Sequence, residues 1–186
     1  MGEQMLGKDM TKDMALLVID GQVGLINVVY RGLDVITRVA DLIASARVAG
    51  APVIYLQHDG ESGSRLEIGS PGWYIHPVIT PAHGDCVIRK PAPDAFYQTH
   101  LNDCLRTKGI RHVVIAGCRT EICIDTTSRR ALSLDYDVTL VKDAHSTLDS
   151  NTLTAAQIIS HHNETLGDFG TNSHAIQVKL SSEIHF

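Results

Sequence analysis

A chain of 186 residues, 44% hydrophobic and 20% charged, has ordinary globular composition and a length that suits one domain, residues 1–186, with a sizeable core. Its formal net charge of −5 comes without a basic tract, so the electrostatic footprint that would hold nucleic acid or an anionic membrane is missing, and a small-molecule partner is expected. No apolar run approaches the ~20 residues of a membrane span, and residues 1–13 read as an N-terminal extension without the apolar stretch of a secretory signal, so a cytoplasmic location is expected.

Met14-Ala-Leu-Leu-Val-Ile-Asp20 is a short apolar run ending in an acid, the pattern of a strand buried on both faces of a parallel sheet. Over residues 33–49 the apolar positions Val35, Ile36, Val39, Leu42, Ile43 and Ala46 recur at helical spacing, and Gly50 follows where a C-terminal cap belongs. Pro52-Val-Ile-Tyr-Leu-Gln57 repeats the strand pattern and completes a β-α-β unit, whose crossover is expected to be right-handed. Residues 58–84 mix Gly, Ser, Pro and His around the only tryptophan, in Gly72-Trp73-Tyr74, and read as a functional loop or lid. Asp85-Cys-Val-Ile-Arg-Lys90 predicts a strand, residues 97–108 a helix closed by Gly109, and Arg111-His-Val-Val-Ile-Ala116 another strand. A helix over residues 121–134, a strand Asp137-Val-Thr-Leu-Val141, a helix over 151–166 and a strand Ala175-Ile-Gln-Val-Lys179 follow. The alternation predicts a three-layer α/β/α, Rossmann-like fold around a mostly parallel sheet of about six strands.

In open α/β sheets, ligands bind outside the carboxyl ends of the strands, where helix N-termini also point. Asp20 ends the first strand, Lys90 ends the third, and Cys123 lies in the first turn of the helix after Ala116-Gly117. Together they supply a base, a cation and a nucleophile. Thiolate is the reactive form of cysteine, and a helix N-terminus with a nearby ammonium favours it. Taken singly, each residue has a plainer reading: a turn acid, a loop cation before Pro91, a small buried hydrophobe. That plainer reading suits Cys86 and Cys104, and the four cysteines read as free thiols. Cys118 and Cys123, spaced C-x-x-x-x-C, admit a dithiol redox couple, but that reading leaves Asp20 and Lys90 idle. A non-enzymatic binding protein would leave all three without a role.

Order and context decide. Val-Ile-Asp20-Gly-Gln22, Ile88-Arg-Lys90 followed by Phe96, and Gly117-Cys-Arg-Thr120-Glu-Ile-Cys123 together resemble the isochorismatase-like cysteine hydrolases, and the likeness extends to Thr126-Thr127 and Asp143-Ala144. The resemblance implies catalytic Asp20, Lys90 and Cys123, and a non-proline cis peptide at Cys118–Arg119 that aims the backbone N–H groups of Arg119 and Cys123 at a substrate oxygen. It also implies a homodimer or homotetramer and no organic cofactor. Isochorismatases that cleave a vinyl ether typically lack the cysteine, so its presence favours C–N bond hydrolysis in a small amide, lactam, ureido or N-carbamoyl compound; vinyl-ether hydrolysis is the alternative. Nicotinamidases place a metal with an Asp-x-His after the second strand, whereas this chain reads Gln57-His58-Asp59-Gly60, so no metal is expected. His161 and His162 are adjacent in a helix and point in different directions. For substrate contacts, an aromatic wall with a few polar groups suggests Gln22, Trp73, Tyr74, His76 and Glu121. Trp73 reads equally well as a loop anchor and Glu121 as a residue favouring a helix dipole.

Overall fold

The computed structural model describes residues 13–186, so the expected N-terminal extension lies, apart from Asp13, outside the described residues. Six strands form one sheet: β1 (Met14–Ile19), β2 (Val53–His58), β3 (Cys86–Lys90), β4 (His112–Cys118), β5 (Asp137–Ser146) and β6 (Ile176–Lys179), in the order β3-β2-β1-β4-β5-β6. Every pairing is parallel, where the sequence had suggested a mostly parallel sheet. The helices are α1 (Val23–Ile26), α2 (Gly32–Ala49), α3 (Leu101–Thr107), α4 (Asp125–Ser133) and α5 (Ala155–Gly167). Alternate residues of the central strands feed two cores. Leu16, Val18, Val53 and Tyr55 pack with Val35, Val39 and Ile43 of α2, while Leu17, Ile19, Ile54 and Leu56 pack with Leu101, Leu105, Leu132 and Leu166 of α3, α4 and α5. Both faces of the sheet are therefore covered, which is why β1 and β4 read as continuous apolar runs.

Four boundaries differ from the sequence pattern, each for a local reason. The helix expected from residue 97 begins only at Leu101, because Gln98 takes a left-handed φ of 53° and Thr99 Oγ1 accepts from the Leu101 N–H at 3.3 Å. The helix expected from residue 151 begins at Ala155, where Thr154 and Gln157 form a capping box. Strand β5 runs on past Val141 to Ser146 after a register shift against β4 between Ile115 and Gly117. The helix carrying Cys123 opens with a π-helical turn, Thr120–Ile124, before α4.

The strand order reverses at β1, whose two neighbours β2 and β4 are entered from opposite directions of the chain. That switch point leaves a crevice beyond the carboxyl ends of β1 and β4. Close approach there depends on Gly117, whose φ is +123° and whose absent Cβ would collide with the Ile19 carbonyl oxygen.

Candidate active site

Four strand ends converge on one cavity of about 520 Å³. Asp20 follows β1 with φ 47°, a left-handed conformation that Asp tolerates better than most residues, and its N–H donates to the Leu56 carbonyl at 2.8 Å. His58 and Lys90 end β2 and β3 opposite each other in register. Cys123 lies in the Thr120–Ile124 turn after β4, and the Cys118–Arg119 peptide joining strand and turn is cis, as the sequence resemblance implied. Asp20, Lys90 and Cys123 are all buried, at 1%, 0% and 7% exposure, and Asp20 and Cys123 line the cavity.

Lys90 is the hub. Its Nζ lies 3.1 Å from Asp20 Oδ2 and donates to Cys123 Sγ at 3.3 Å and to the Ala92 carbonyl at 3.0 Å. Those three acceptors use the three ammonium protons. His58 Nδ1 lies a little farther away, at 3.4 Å. Among the described residues, Asp20 Oδ1 has no hydrogen-bond partner although it is buried. A buried carboxylate oxygen without a donor is costly, and it leaves Asp20 with one free acceptor beside its pairing with Lys90.

Electrostatics set the resting protonation. Burial acts to lower the Lys90 pKa, but the charge of Asp20 and then that of Cys123 outweigh it, and the pKa is raised. For Cys123 burial dominates and Asp20 adds to it, so the thiol is pushed up to about 12 in spite of Lys90. The sequence had set a helix N-terminus and Lys90, which favour the thiolate, against the Asp20 charge, which opposes it; desolvation adds to the opposing side and favours the thiol. Burial, then the Lys90 charge, lowers the His58 pKa and keeps its ring neutral.

The other residues singled out from the sequence are placed differently. Arg119 lines the cavity and its guanidinium binds Glu121 Oε1 at 2.6 Å and Thr147 Oγ1 at 3.2 Å. Glu121 itself stands behind Arg119, outside the cavity lining, with Oε2 buried and unpartnered among the described residues. Gln22 is fully buried and bridges loop to strand: Nε2 donates to the His58 and Trp73 carbonyls at 3.0 and 2.7 Å, and Oε1 accepts from the His58 N–H at 2.9 Å. Trp73 donates its Nε1–H to Asp59 at 2.9 Å and carries the Arg89 guanidinium over its ring at 5.2 Å. Tyr74 is 54% exposed, and His76 caps a short 3-10 turn by accepting from the Val78 N–H. None of Gln22, Trp73, Tyr74 and His76 lines the cavity.

Its walls come instead from residues the sequence reading did not select: His58, the apolar Leu25, Leu66 and Ile122, and Glu61 and Arg65 at the rim. The prolines Pro91 and Pro93, directly after Lys90, were the one available signal, since they mark a rigid segment leaving a strand end. Among the described residues no three His, Cys, Asp or Glu side chains converge as metal ligands do, and no helix is long and apolar enough to cross a membrane.

A doubly wound parallel sheet with a buried Asp-Lys-Cys cluster at its switch point defines an α/β protein with a cysteine thiol at its central cavity. The isochorismatase domain family model matches residues 14–162, and the chain belongs to that family. It is 35% identical over 164 residues to a streptothricin hydrolase of Streptomyces noursei, covering 83% of this chain and 59% of that protein, so it spans little more than half of that relative. It is 28% identical to a ureidoacrylate amidohydrolase of Variovorax paradoxus, covering 78% of this chain and 73% of that one. Among solved structures, an isochorismatase family protein matches at 37% identity and a TM-score of 0.79 over 89% of this chain and 98% of that chain. An isochorismatase of Pseudomonas putida KT2440 matches at 26% and 0.84 over 94% and 91%.

Proposed function

We propose that this protein is a cysteine-dependent hydrolase that cleaves a C–N bond in a small amide, lactam, ureido or N-carbamoyl compound. The observation that carries the reading is the placement of Lys90 Nζ between Asp20 Oδ2 and Cys123 Sγ, with Asp20 and Cys123 both at the cavity wall and Asp20 Oδ1 unpartnered among the described residues. The names of the two relatives, a hydrolase and an amidohydrolase, support it.

Substrate enters with its carbonyl carbon against Cys123 Sγ. Asp20 takes the thiol proton, the sulfur attacks, and the carbonyl oxygen becomes an oxyanion that the backbone N–H groups of Arg119 and Cys123 receive. Asp20 returns the proton to the nitrogen as the C–N bond breaks, leaving a thioester. Water, giving a proton to the same carboxylate, hydrolyses the thioester and restores the thiol. Lys90 stabilises the sulfur anion while it exists and keeps Asp20 ionised between steps. A thiolate needs no Lewis acid, so turnover is expected to survive dialysis against a chelator.

The test is a screen of small amides, ureas, N-carbamoyl compounds and lactams, reading ammonia release or, for lactams, the mass gain of one water. Intact-mass analysis of the quenched enzyme should find an acyl adduct on Cys123. Turnover by Cys123→Ala at the wild-type rate would overturn the reading.

A further inference from the structure

Behind the turn that carries Cys123 lie three polar side chains for which the proposed chemistry has no use: Thr120, His145 and Asn163. Thr120 and His145 are buried, at 0% and 2% exposure, and neither lines the cavity. Thr120 opens the Thr120–Ile124 turn, His145 is the penultimate residue of β5, and Asn163 belongs to α5. His145 reaches this position through the shift in register between β4 and β5. Leu140 pairs with Ile115 and His145 with Gly117, so β5 spends five steps where β4 spends two. The extra length bulges outward and delivers the imidazole beneath the turn.

The hydrogen bonds run in one direction. Asn163 Nδ2 donates to the Lys142 carbonyl at 3.2 Å, which orients the amide and leaves Oδ1 facing His145 Nε2 at 3.0 Å. An amide oxygen only accepts, so Nε2 carries the ring proton. In the neutral ring Nδ1 is then a bare lone pair, and Thr120 Oγ1, 2.8 Å away, donates to it. The ring is neutral because burial pushes its pKa down to about 4; the Asn163 bond and Asp143 act in the opposite sense, and His162 acts with burial.

We propose that Asn163, His145 and Thr120 form a positioning relay for Cys123, with His145 in its neutral, Nε2-protonated tautomer anchoring the Thr120 hydroxyl and hence the turn. The proposal rests on the reading of Cys123 as the nucleophile. A π-helical turn is a rare, single-turn departure from the α-helix, so a side-chain bond from outside the turn helps to hold its one geometry. Here the anchor ties the turn to β5 and α5 at once, and a displacement of ~1 Å at a reacting centre costs about a hundredfold in rate. Protonating His145 would turn Nδ1 into a donor and reverse the sense of its bond to Thr120 Oγ1, whose own proton would then have to find another acceptor.

The decisive comparison uses the full chain with Thr120→Val, which keeps shape and loses the hydroxyl, and Thr120→Ser, which keeps the hydroxyl. With the best substrate of the screen, Thr120→Val should lower kcat by roughly tenfold to a hundredfold with KM little changed. Alkylation of Cys123 by iodoacetamide should slow in parallel, and Thr120→Ser should restore most of both. Nitrogen-15 spectra of the wild-type imidazoles should show His145 protonated at Nε2 alone, and Asn163→Ala should disturb that tautomer. Equal behaviour of the Val and Ser variants, wild-type alkylation in Thr120→Val, or a proton on Nδ1 would overturn the relay. If the wild type hydrolyses nothing, the hydrolase reading falls separately, because alkylation and tautomer still decide the relay. If Thr120→Val does not fold, the tautomer in the wild type and Asn163→Ala decides it.

Discussion

Two charge clusters stand side by side at the ends of β2 and β3, and they are built on opposite principles. Around Asp59 every oxygen is engaged: Oδ1 accepts from Trp73 at 2.9 Å and Arg89 at 3.0 Å, and Oδ2 from Arg89 at 2.9 Å. Gln22 and Gln57 close the same neighbourhood by donating to the Trp73 carbonyl at 2.7 and 2.9 Å. Around Lys90 the donors are spent, but Asp20, which lines the cavity, keeps Oδ1 without a partner among the described residues. A closed network fixes a loop, and any further hydrogen bond to it would have to displace an existing one. An open acceptor in a buried site costs stability, and at Asp20, unlike at Glu121, it belongs to a residue that lines the cavity.

The largest effect expected from this contrast is on turnover. Cys123→Ala and Asp20→Asn should each lower kcat by roughly a thousandfold or more, since removing any member of a unit that acts together removes most of its work. Both variants should keep a cooperative thermal transition. Activity surviving in either would break the comparison at its open end.

Lys90→Met should be costly in a different way, because it removes the cation and leaves Asp20 buried at 1% exposure without its partner. Breaking a buried pair on one side typically destabilises by about 3–5 kcal/mol, and denaturant titration would measure it. The double variant Lys90→Met with Asp20→Leu should recover much of that loss, with turnover still absent. Stability of the single variant equal to wild type would show that the pair carries no buried charge.

The cluster of Asp20, Lys90 and Cys123 was legible because strand ends are easy to find in sequence: apolar runs stop at Asp20 and Lys90, and a Gly-x-x-Thr-x-x-Cys stretch opens a helix. Fold class and strand number followed from the same periodicity. The cavity walls were not legible. Which face of an irregular loop turns inward depends on contacts made by distant residues, and the aromatic pair Trp73-Tyr74 faces Asp59, Arg89 and solvent. Gln22 sat two residues after Asp20 in the motif and looked like a substrate contact, yet its amide is used up on the backbone of His58 and Trp73. His145 escaped because β5 looked finished at Val141; the polar run Asp143-Ala-His-Ser146 hid a bulged continuation of the strand.

His145 extends the closed side of the comparison to a titrating group. Its folded pKa of about 4 lies below the ordinary 6.5, so the unfolded chain takes up a proton first as pH falls. The stabilisation is complete above about pH 6.5 and lost progressively down to about pH 4, by up to about 3 kcal/mol. His58 and His112, also lowered chiefly by burial, act in the same direction. The His145 share is the difference in pH dependence between wild type and His145→Asn, read by thermal unfolding. Parallel curves for the two proteins would place the acid sensitivity elsewhere.

The smallest effect is expected at Trp73, and it tests the closed cluster most directly. Trp73→Phe removes the Nε1–H donor to Asp59 but keeps a ring beneath Arg89. Asp59 retains Arg89 on both oxygens, at 3.0 and 2.9 Å, so no carboxylate oxygen is stranded. The backbone at residue 73 is also held independently, by Gln22 and Gln57 at its carbonyl. The cost should therefore be that of one partly exposed hydrogen bond to a charged acceptor, about 1–2 kcal/mol in denaturant titration. Because Trp73 does not line the cavity, kcat and KM should stay near wild type for every substrate of the screen. A KM raised tenfold by this substitution, with stability unchanged, would show that the indole reaches substrate in the cavity that Asp59 lines.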